Sequence, residues 1–154
     1  MWALMPETAP RLAVVLLVDR RGHLLLQHRD EHAPRAANQW GMVGGHVEPG
    51  EDFDAAAHRE LLEETGVVVG PGDLVLWQEA EFAYSAGQDG SYRLYAGQMD
   101  LTDDDIALGE GRAIVFVDPA ELGSLDLAES CAHFVPQFLA SDLYRQLRDG
   151  RKNA

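Results

Sequence analysis

The sequence predicts an α/β (α+β) fold in which a mixed β-sheet lies between layers of helix. The first observation is one long helical stretch, Phe53 to Thr65, with apolar, β-branched runs on both sides of it. The second is a helical pattern in the C-terminal region, from Leu127 to Leu147. Strands before and after a central helix, followed by a C-terminal helix, favour an α/β/α sandwich. The 154 residues are interpreted as a single domain, 1–154, with flexible ends at 1–10 and 149–154.

Three strands are predicted ahead of the central helix. Leu12 to Val18 is a continuous β-branched run, which is typical of a buried strand. His23 to His28 returns from a turn at 19–22, so the two runs predict a hairpin. Trp40 to Val43 is a short third strand that leads into Gly44-Gly45.

The chain after the central helix predicts further strands and then helix. Leu74 to Tyr84 and Tyr92 to Met99 are expected to pair across a hairpin loop, Ala113 to Val117 is another apolar strand, and Val67 to Val69 is a candidate for a short one. In the C-terminal region, apolar residues recur at steps of four, and Pro136 is expected to break or restart the helix.

Composition excludes several classes of protein. With 26 acidic and 12 basic residues the net charge is −14, which argues against a nucleic-acid or anionic-membrane surface. No apolar run approaches the roughly 18 residues of a membrane span, and the first ten residues lack the features of a signal peptide. We therefore expect a soluble, cytoplasmic protein. Cys131 is the single cysteine, so neither an intrachain disulfide nor a cysteine metal cluster is expected.

The central helix carries three acids on one face. Asp52 is a good N-cap and Gly66 stands where a helix would end in a left-handed residue. Glu60, Glu63 and Glu64 are related by steps of three and four, so their carboxylates point the same way. Like charges at the C-terminal end of a helix oppose its formation, whereas a hard divalent cation such as Mg²⁺ or Mn²⁺ would reverse that effect. Three acids on a helix are also typical of a solvated surface, so the trio alone leaves both interpretations open.

The spacing around the trio favours the functional interpretation. Glycine, glutamate, arginine and apolar residues occur at fixed intervals: Gly45, five residues, Glu51, seven residues, Arg59-Glu60-Leu61, one residue, Glu63-Glu64, one residue, Gly66-Val67. This stretch resembles the Nudix box, with no departure from its pattern. Just upstream, Val43 stands where many relatives have proline, a difference that should alter the stiffness of the loop more than the chemistry.

The resemblance implies a Nudix-type fold and a metal-dependent hydrolase of nucleoside diphosphates linked to another group. In that family the box forms a loop, helix and loop whose glutamates bind the activating ions. By position, Glu60, Glu63 and Glu64 resemble the metal ligands, with the carbonyl of Gly44 as a further ligand. Glu51 and Arg59 resemble a pair that orients the loop against the helix. The expected cofactor is Mg²⁺, with Mn²⁺ as a substitute.

Further candidates lie outside the trio. Glu110 resembles the position at which family members supply another metal-binding or base-positioning glutamate, although a solvated loop is an equal interpretation. Glu63 or Glu110 would position or deprotonate the attacking water. Gly44 and Gly45 are candidates for substrate binding. Arg29 is a further candidate, because scarce positive charges in an acidic chain can hold phosphates, although for any single arginine a surface charge that aids solubility is the more common role.

Two other functions are weighed against hydrolysis. One is a regulator that keeps the fold and binds a nucleotide without cleaving it. The other is an isomerase of prenyl diphosphates, which shares the fold but relies on a cysteine near the front of the site, whereas Cys131 lies far downstream. Tyr84 is close to the place of a tyrosine in dinucleoside polyphosphate hydrolases, and no proline occurs between Pro71 and Pro119, where the ADP-ribose subfamily tends to have one. Nucleoside triphosphates, nucleotide sugars and dinucleoside polyphosphates stay open as substrates, as does a homodimer.

Overall fold

The computed structural model describes residues 9–87, 89–109 and 111–150, and in that part of the chain one six-stranded mixed sheet separates two layers of helix. Two short 3-10 segments also occur, at Asp103–Asp105 and Pro119–Ser124. The strands and α-helices are β1 (Arg11–Val18), β2 (Leu24–His28), β3 (Trp40–His46), α1 (Phe53–Thr65), β4 (Val75–Ala83), β5 (Asp89–Gln98), β6 (Ala113–Val117), α2 (Glu129–Leu139) and α3 (Asp142–Asp149).

The sheet has the strand order β4-β5-β1-β3-β2-β6. β1 and β5 run parallel, with Leu12 opposite Tyr92, whereas the other neighbouring strands are antiparallel. Alternate side chains of β1 therefore face opposite layers. Val15 belongs to the buried cluster that includes Leu61 of α1, and Leu16 belongs to the cluster that includes Phe134 of α2. The predicted α/β/α sandwich with a mixed sheet is confirmed.

The predicted hairpin of β1 and β2 is only partly correct. The two strands are joined by a tight turn and pair at Val18 and Leu24. Beyond that pair they diverge, and β3 lies between them, with Val15 opposite Val43 on one side and Leu26 opposite Met42 on the other. β3 is also longer than predicted, because its pairing with β1 continues through Gly44 and Gly45.

Two local predictions are wrong. Val67–Val69 forms no strand; Val67 and Val69 instead bury their side chains against the α1 face of the sheet. Pro136 does not break the C-terminal helix, since it lies within α2 with its ring exposed. The break comes after Leu139, where Ser141 Oγ accepts a hydrogen bond from the Tyr144 amide at 3.1 Å and so begins α3.

Asp149 belongs to α3, whereas most of the predicted flexible ends lie outside the described residues. No helix in the described part of the chain is long and apolar enough to span a bilayer.

Candidate active site

Helix α1 has the bounds that the sequence predicts, and local contacts explain both of its ends. Asp52 Oδ1 accepts a hydrogen bond from the Ala55 amide at 2.7 Å. Gly66 has a φ of 76°, and its N–H donates to the Leu62 carbonyl at 2.9 Å. The Tyr95 hydroxyl, on β5, donates to the Asp54 carboxylate and ties the first turn of α1 to the sheet. Burial, followed by the Asp54 contact, raises the pKa of Tyr95.

Glu64 is the buried member of the glutamate trio. It is 6% exposed, and its Oε1 accepts a hydrogen bond from the backbone N–H of Gly44 at 3.0 Å. A buried carboxylate is costly unless it is hydrogen-bonded, so this contact fixes where the side chain can lie. The C-terminal turn of α1 and the glycine-rich end of β3 are therefore joined through a carboxylate.

Glu60 lies against the next glycine. Its side chain is 16% exposed, and a Cβ built on Gly45 would stand 2.6 Å from Glu60 Oε1. Only glycine leaves room for this carboxylate as it is placed. Glu63, by contrast, is 57% exposed and faces solvent. The structure therefore brings all three glutamates to one side of α1, at increasing depth from Glu63 to Glu64.

Arg59 connects the trio to the preceding loop. Its Nε and Nη2 donate to Glu51 at 2.8 and 2.9 Å, and Nη2 also donates to the His46 carbonyl at 3.0 Å. Its Nη1 donates to Glu60 at 3.0 Å and to Glu63 at 3.2 Å. The Arg59 contact lowers the pKa of Glu51 to about 2, and the same pair raises the pKa of Arg59. The expected contact of Glu51 with Arg59 is present.

The donor set of this site suits a hard divalent cation. In the described ranges, no three His, Cys, Asp or Glu side chains already converge as metal ligands. Glu60 and Glu63 direct oxygens at Arg59, and Glu64 directs one at the Gly44 amide. The three carboxylates nevertheless lie on one side of α1, beside the two glycines 44 and 45, which have no side chains. Mg²⁺ and Mn²⁺ prefer carboxylate and carbonyl oxygens as ligands. The residues present fit such an ion.

The loop that follows β5 closes over the C-terminal end of α1. The N–H of Ala107 donates to the Thr65 carbonyl at 2.8 Å, and that of Gly109 donates to the Glu64 carbonyl at 3.0 Å. Further along, the Arg112 N–H donates to the His28 carbonyl at 2.9 Å, at the end of β2. The loop therefore bridges the glutamate-bearing helix and β2. Glu110, predicted to take part in the site, lies outside the described residues.

Arg29 lines a cavity of about 340 Å³ on the same side of the molecule as this loop, together with Gln27, Asp30, His32 and Gly111. Gly111 is two residues beyond Gly109, so their Cα atoms are at most about 7 Å apart. The cavity therefore opens close to the end of α1. Arg29 Nε donates to the Arg35 carbonyl at 2.9 Å, a contact that orders the loop between β2 and β3.

Two residues weighed from the sequence lie on the other face of the sheet. Cys131 is fully buried in α2, and burial raises its thiol pKa to about 12. The Tyr84 hydroxyl contacts the Tyr92 hydroxyl, and the Arg35 guanidinium lies over the Tyr84 ring at 5.5 Å. Cys131 is therefore separated from the glutamates of α1 by the sheet.

Sequence reasoning missed the contacts that support the site from a distance. Tyr95 reads as one more apolar residue of a strand, and Gly109 as one more residue of an acidic loop. Only the alternation of side chains along β5 could have indicated that Tyr95 lies on the side of the sheet that faces α1, because every second residue of a strand shares a face. For Gly109 the sequence holds no signal, since its partner is a backbone carbonyl.

The fold and the glutamate-bearing helix define the class of protein: the chain belongs to the NUDIX family, whose model, described as "NUDIX domain", matches residues 8–138. The chain is 32% identical over 121 residues to an isopentenyl-diphosphate Delta-isomerase of Nocardia farcinica, covering 78% of this chain and 63% of that protein. It is 28% identical over 127 residues to the CTP pyrophosphohydrolase of Escherichia coli K12, covering 82% of this chain and 90% of that protein. The crystal structure of a MutT protein from Methanosarcina mazei Go1 shares the fold, with a TM-score of 0.69, 20% identity and coverage of 97% and 98% of the two chains.

Proposed function

We propose that this chain is a divalent-cation-dependent hydrolase that cleaves a phosphoanhydride bond in a nucleoside diphosphate linked to another group. The observation that carries the proposal is the placement of Glu60 and Glu64 against the backbone of Gly45 and Gly44, with Glu63 beside them. The E. coli relative is named a CTP pyrophosphohydrolase, which supports this type of reaction.

Glu60, Glu63 and Glu64 would hold the cation, together with the carbonyl of Gly44, and Glu110 is proposed as a further ligand. Mg²⁺ is the proposed cofactor, with Mn²⁺ as a substitute. Bound there, the cation would neutralise charge on the diphosphate and lower the pKa of a water molecule.

The chain's own residues position the reaction. Arg59 restricts the carboxylates of Glu60 and Glu63 through one nitrogen while its other two nitrogens hold Glu51. Because Glu63 is the most exposed of the trio, it is the best placed to accept a proton from an attacking water, with Glu110 as the other candidate. Arg29 and the glycine backbone at 44–45 are proposed to contact the phosphates.

We also infer that the protein acts in the cytoplasm on a small-molecule nucleotide. Its net charge of −14 supports the further proposal that it binds neither nucleic acid nor membrane. The single-domain organisation is part of the same proposal. A homodimer stays a prediction, which light scattering during size-exclusion chromatography tests.

Isomerisation of a prenyl diphosphate is the second candidate, favoured by the 32% identity to the Nocardia farcinica isomerase, of which the chain spans 63%. The position of Cys131 opposes it. In the isomerases that share this fold the reaction relies on a cysteine at the site, whereas the single cysteine of this chain is fully buried on the α2 face. Hydrolysis is therefore preferred.

The test is a panel of nucleoside triphosphates, nucleotide sugars, dinucleoside polyphosphates and isopentenyl diphosphate, incubated with Mg²⁺ or Mn²⁺ in ¹⁸O-water. Mass spectrometry of the products is expected to show a cleaved anhydride with ¹⁸O on one phosphate. Tight binding in calorimetry without any product would instead favour a nucleotide-binding regulator. If isopentenyl diphosphate is converted and no other compound of the panel is, the result would favour the isomerase.

A further inference from the structure

We propose that Gly109 is a positioning residue of the site: it holds the C-terminal turn of α1, and with it the carboxylates of Glu63 and Glu64, in the place that cation binding requires. The inference rests on the proposed function and concerns a loop residue outside the Nudix box. It follows from the hydrogen bonds, the space and the charge around Gly109.

The hydrogen bonds show that this loop completes the end of the helix. The last four carbonyls of an α-helix lack partners within it. Gly66 supplies an N–H to Leu62, and the loop supplies two more, from Ala107 to Thr65 and from Gly109 to Glu64. The Gly109 amide therefore bonds the backbone of a residue whose side chain is a proposed ligand.

The space around Gly109 admits no side chain. A Cβ at this position would stand 2.5 Å from the Glu63 carbonyl oxygen and 3.2 Å from Glu64 Cα. Both are backbone atoms of α1, so the conflict is not relieved by turning a side chain. Any larger residue must push the loop and the C-terminal turn of α1 apart.

The loop is held on its other side, so the displacement would reach the helix. Asp103 Oδ1 accepts a hydrogen bond from the Phe116 amide of β6 at 2.8 Å. Arg112 is bonded through its N–H to His28 of β2. With the loop attached to β6 and β2, part of the displacement that a Cβ at Gly109 causes passes to the turn that carries Glu63 and Glu64.

The hydrogen bonds from the loop also affect the electrostatic environment of the proposed ligands Glu63 and Glu64. Glu63 and Glu64 lie in the last turn of α1, where the negative end of the helix dipole disfavours carboxylates. The N–H groups of Ala107 and Gly109 point at that end and partly offset it. Displacing them leaves the carbonyls of Glu64 and Thr65 without these donors in the turn that carries the two carboxylates, which weakens the arrangement that the ion needs.

The test compares Gly109→Ala with Gly123→Ala in the full chain. Gly123 lies in the exposed 3-10 segment, and a Cβ there meets nothing within 4 Å, so it controls for the substitution itself. Mn²⁺ binding without nucleotide is measured by electron paramagnetic resonance, and kcat and KM are measured separately on the substrate that the panel identifies. Gly109→Ala is expected to weaken Mn²⁺ binding by about tenfold and to lower kcat more than it raises KM. Gly123→Ala should match the wild type.

A folded Gly109→Ala protein with wild-type Mn²⁺ affinity would overturn the proposal, because a purely structural role lowers the melting temperature without changing ion affinity. If Gly109→Ala does not fold, Asp103→Ala loosens the same loop without adding bulk, and it should weaken Mn²⁺ binding several-fold; unchanged affinity overturns the proposal there too. Separate measurements of Mn²⁺ binding and of turnover distinguish the positioning role of Gly109 from the proposed hydrolase activity. A wild type that binds Mn²⁺ but cleaves nothing counts against the hydrolase, and the effect on binding still tests Gly109.

Discussion

Arg59 and Glu51 form a two-point ion pair, in which Nε lies 2.8 Å from Oε2 and Nη2 lies 2.9 Å from Oε1. The planar guanidinium matches a carboxylate in this geometry. Its third nitrogen remains available for Glu60 and Glu63. One side chain therefore sets the position of the loop before α1 and of two proposed metal ligands.

Replacing Arg59 by lysine should impair the site while retaining the charge. An ammonium group cannot make the two parallel bonds to Glu51 and also reach Glu60. We expect turnover to fall about 10–100-fold, the range seen when residues that orient ligands are changed. Steady-state kinetics measure the effect, and circular dichroism checks the fold. Wild-type turnover in Arg59→Lys would contradict the proposed role.

Glu51→Gln should change how stability depends on pH. Arg59 holds the pKa of Glu51 at about 2 in the folded protein, below its ordinary value of 4.5. A lowered folded-state pKa adds stability that is fully present above the unfolded pKa and is lost as pH falls toward the folded one. The wild type should therefore exceed Glu51→Gln in free energy of unfolding at pH 7, and the gap should shrink between pH 4.5 and 2. Urea denaturation across this range measures it, and a gap independent of pH would refute the linkage.

Glu63→Gln and Glu64→Gln should each abolish most turnover without unfolding the protein. The amide keeps the size of the side chain but loses the charge that is proposed to bind a cation. We expect cation-dependent turnover to fall by about 100-fold or more. Glu81→Gln is the matched control, since Glu81 is exposed on β4 and contacts the Ser91 hydroxyl. Equal activity in the Glu63, Glu64 and Glu81 variants would remove the basis of the proposed function.

Gly44→Ala should destabilise the protein far more than Gly72→Ala. Both glycines have positive φ, 144° and 85°, so both variants carry backbone strain of about 1–3 kcal/mol. At Gly44 a Cβ would also stand 2.2 Å from the Ala13 carbonyl oxygen of β1, whereas at Gly72 nothing lies within 4 Å. Overpacking of this kind adds about 1–3 kcal/mol. Thermal unfolding measures both variants, and equal melting temperatures would contradict the close approach of Gly44 to the backbone of β1.

Cys131 should be unreactive in the native protein. It is fully buried, and burial raises its thiol pKa to about 12, so little thiolate forms at pH 8. A chromogenic disulfide reagent should label it slowly in buffer and completely in denaturant. Fast stoichiometric labelling of the folded chain would contradict this placement and would favour a cysteine accessible to substrate.

Helix α1 and its acids could be predicted because the signals that define them are local. Asp52 begins the helix and Gly66 ends it, each through a hydrogen bond to a residue within four positions. The spacing of the glutamates places them on a common face. β3 could not be predicted in full, because its continuation through Gly44 and Gly45 depends on pairing with β1. Local rules favour a loop for a pair of glycines, and tertiary pairing overrides them.

Pro136 illustrates the same limit in a helix. A proline is expected to break a helix because its missing N–H removes one backbone bond. Here its exposed ring lies within α2, whose other side buries Phe134 and Phe138 against the sheet. Packing of that apolar side outweighs one lost bond, and the boundary moves to Ser141, which can cap a new helix.

The proposed ion site depends on the insertion of β3 between β1 and β2. β1 and β2 pair with each other at Val18 and Leu24, whereas the contact of the Gly44 amide with Glu64 requires β3 to lie between them. A partly assembled sheet therefore has no place for the acids of α1. Under the proposed function, local unfolding of β3 is therefore expected to lower turnover as much as replacement of the glutamates does.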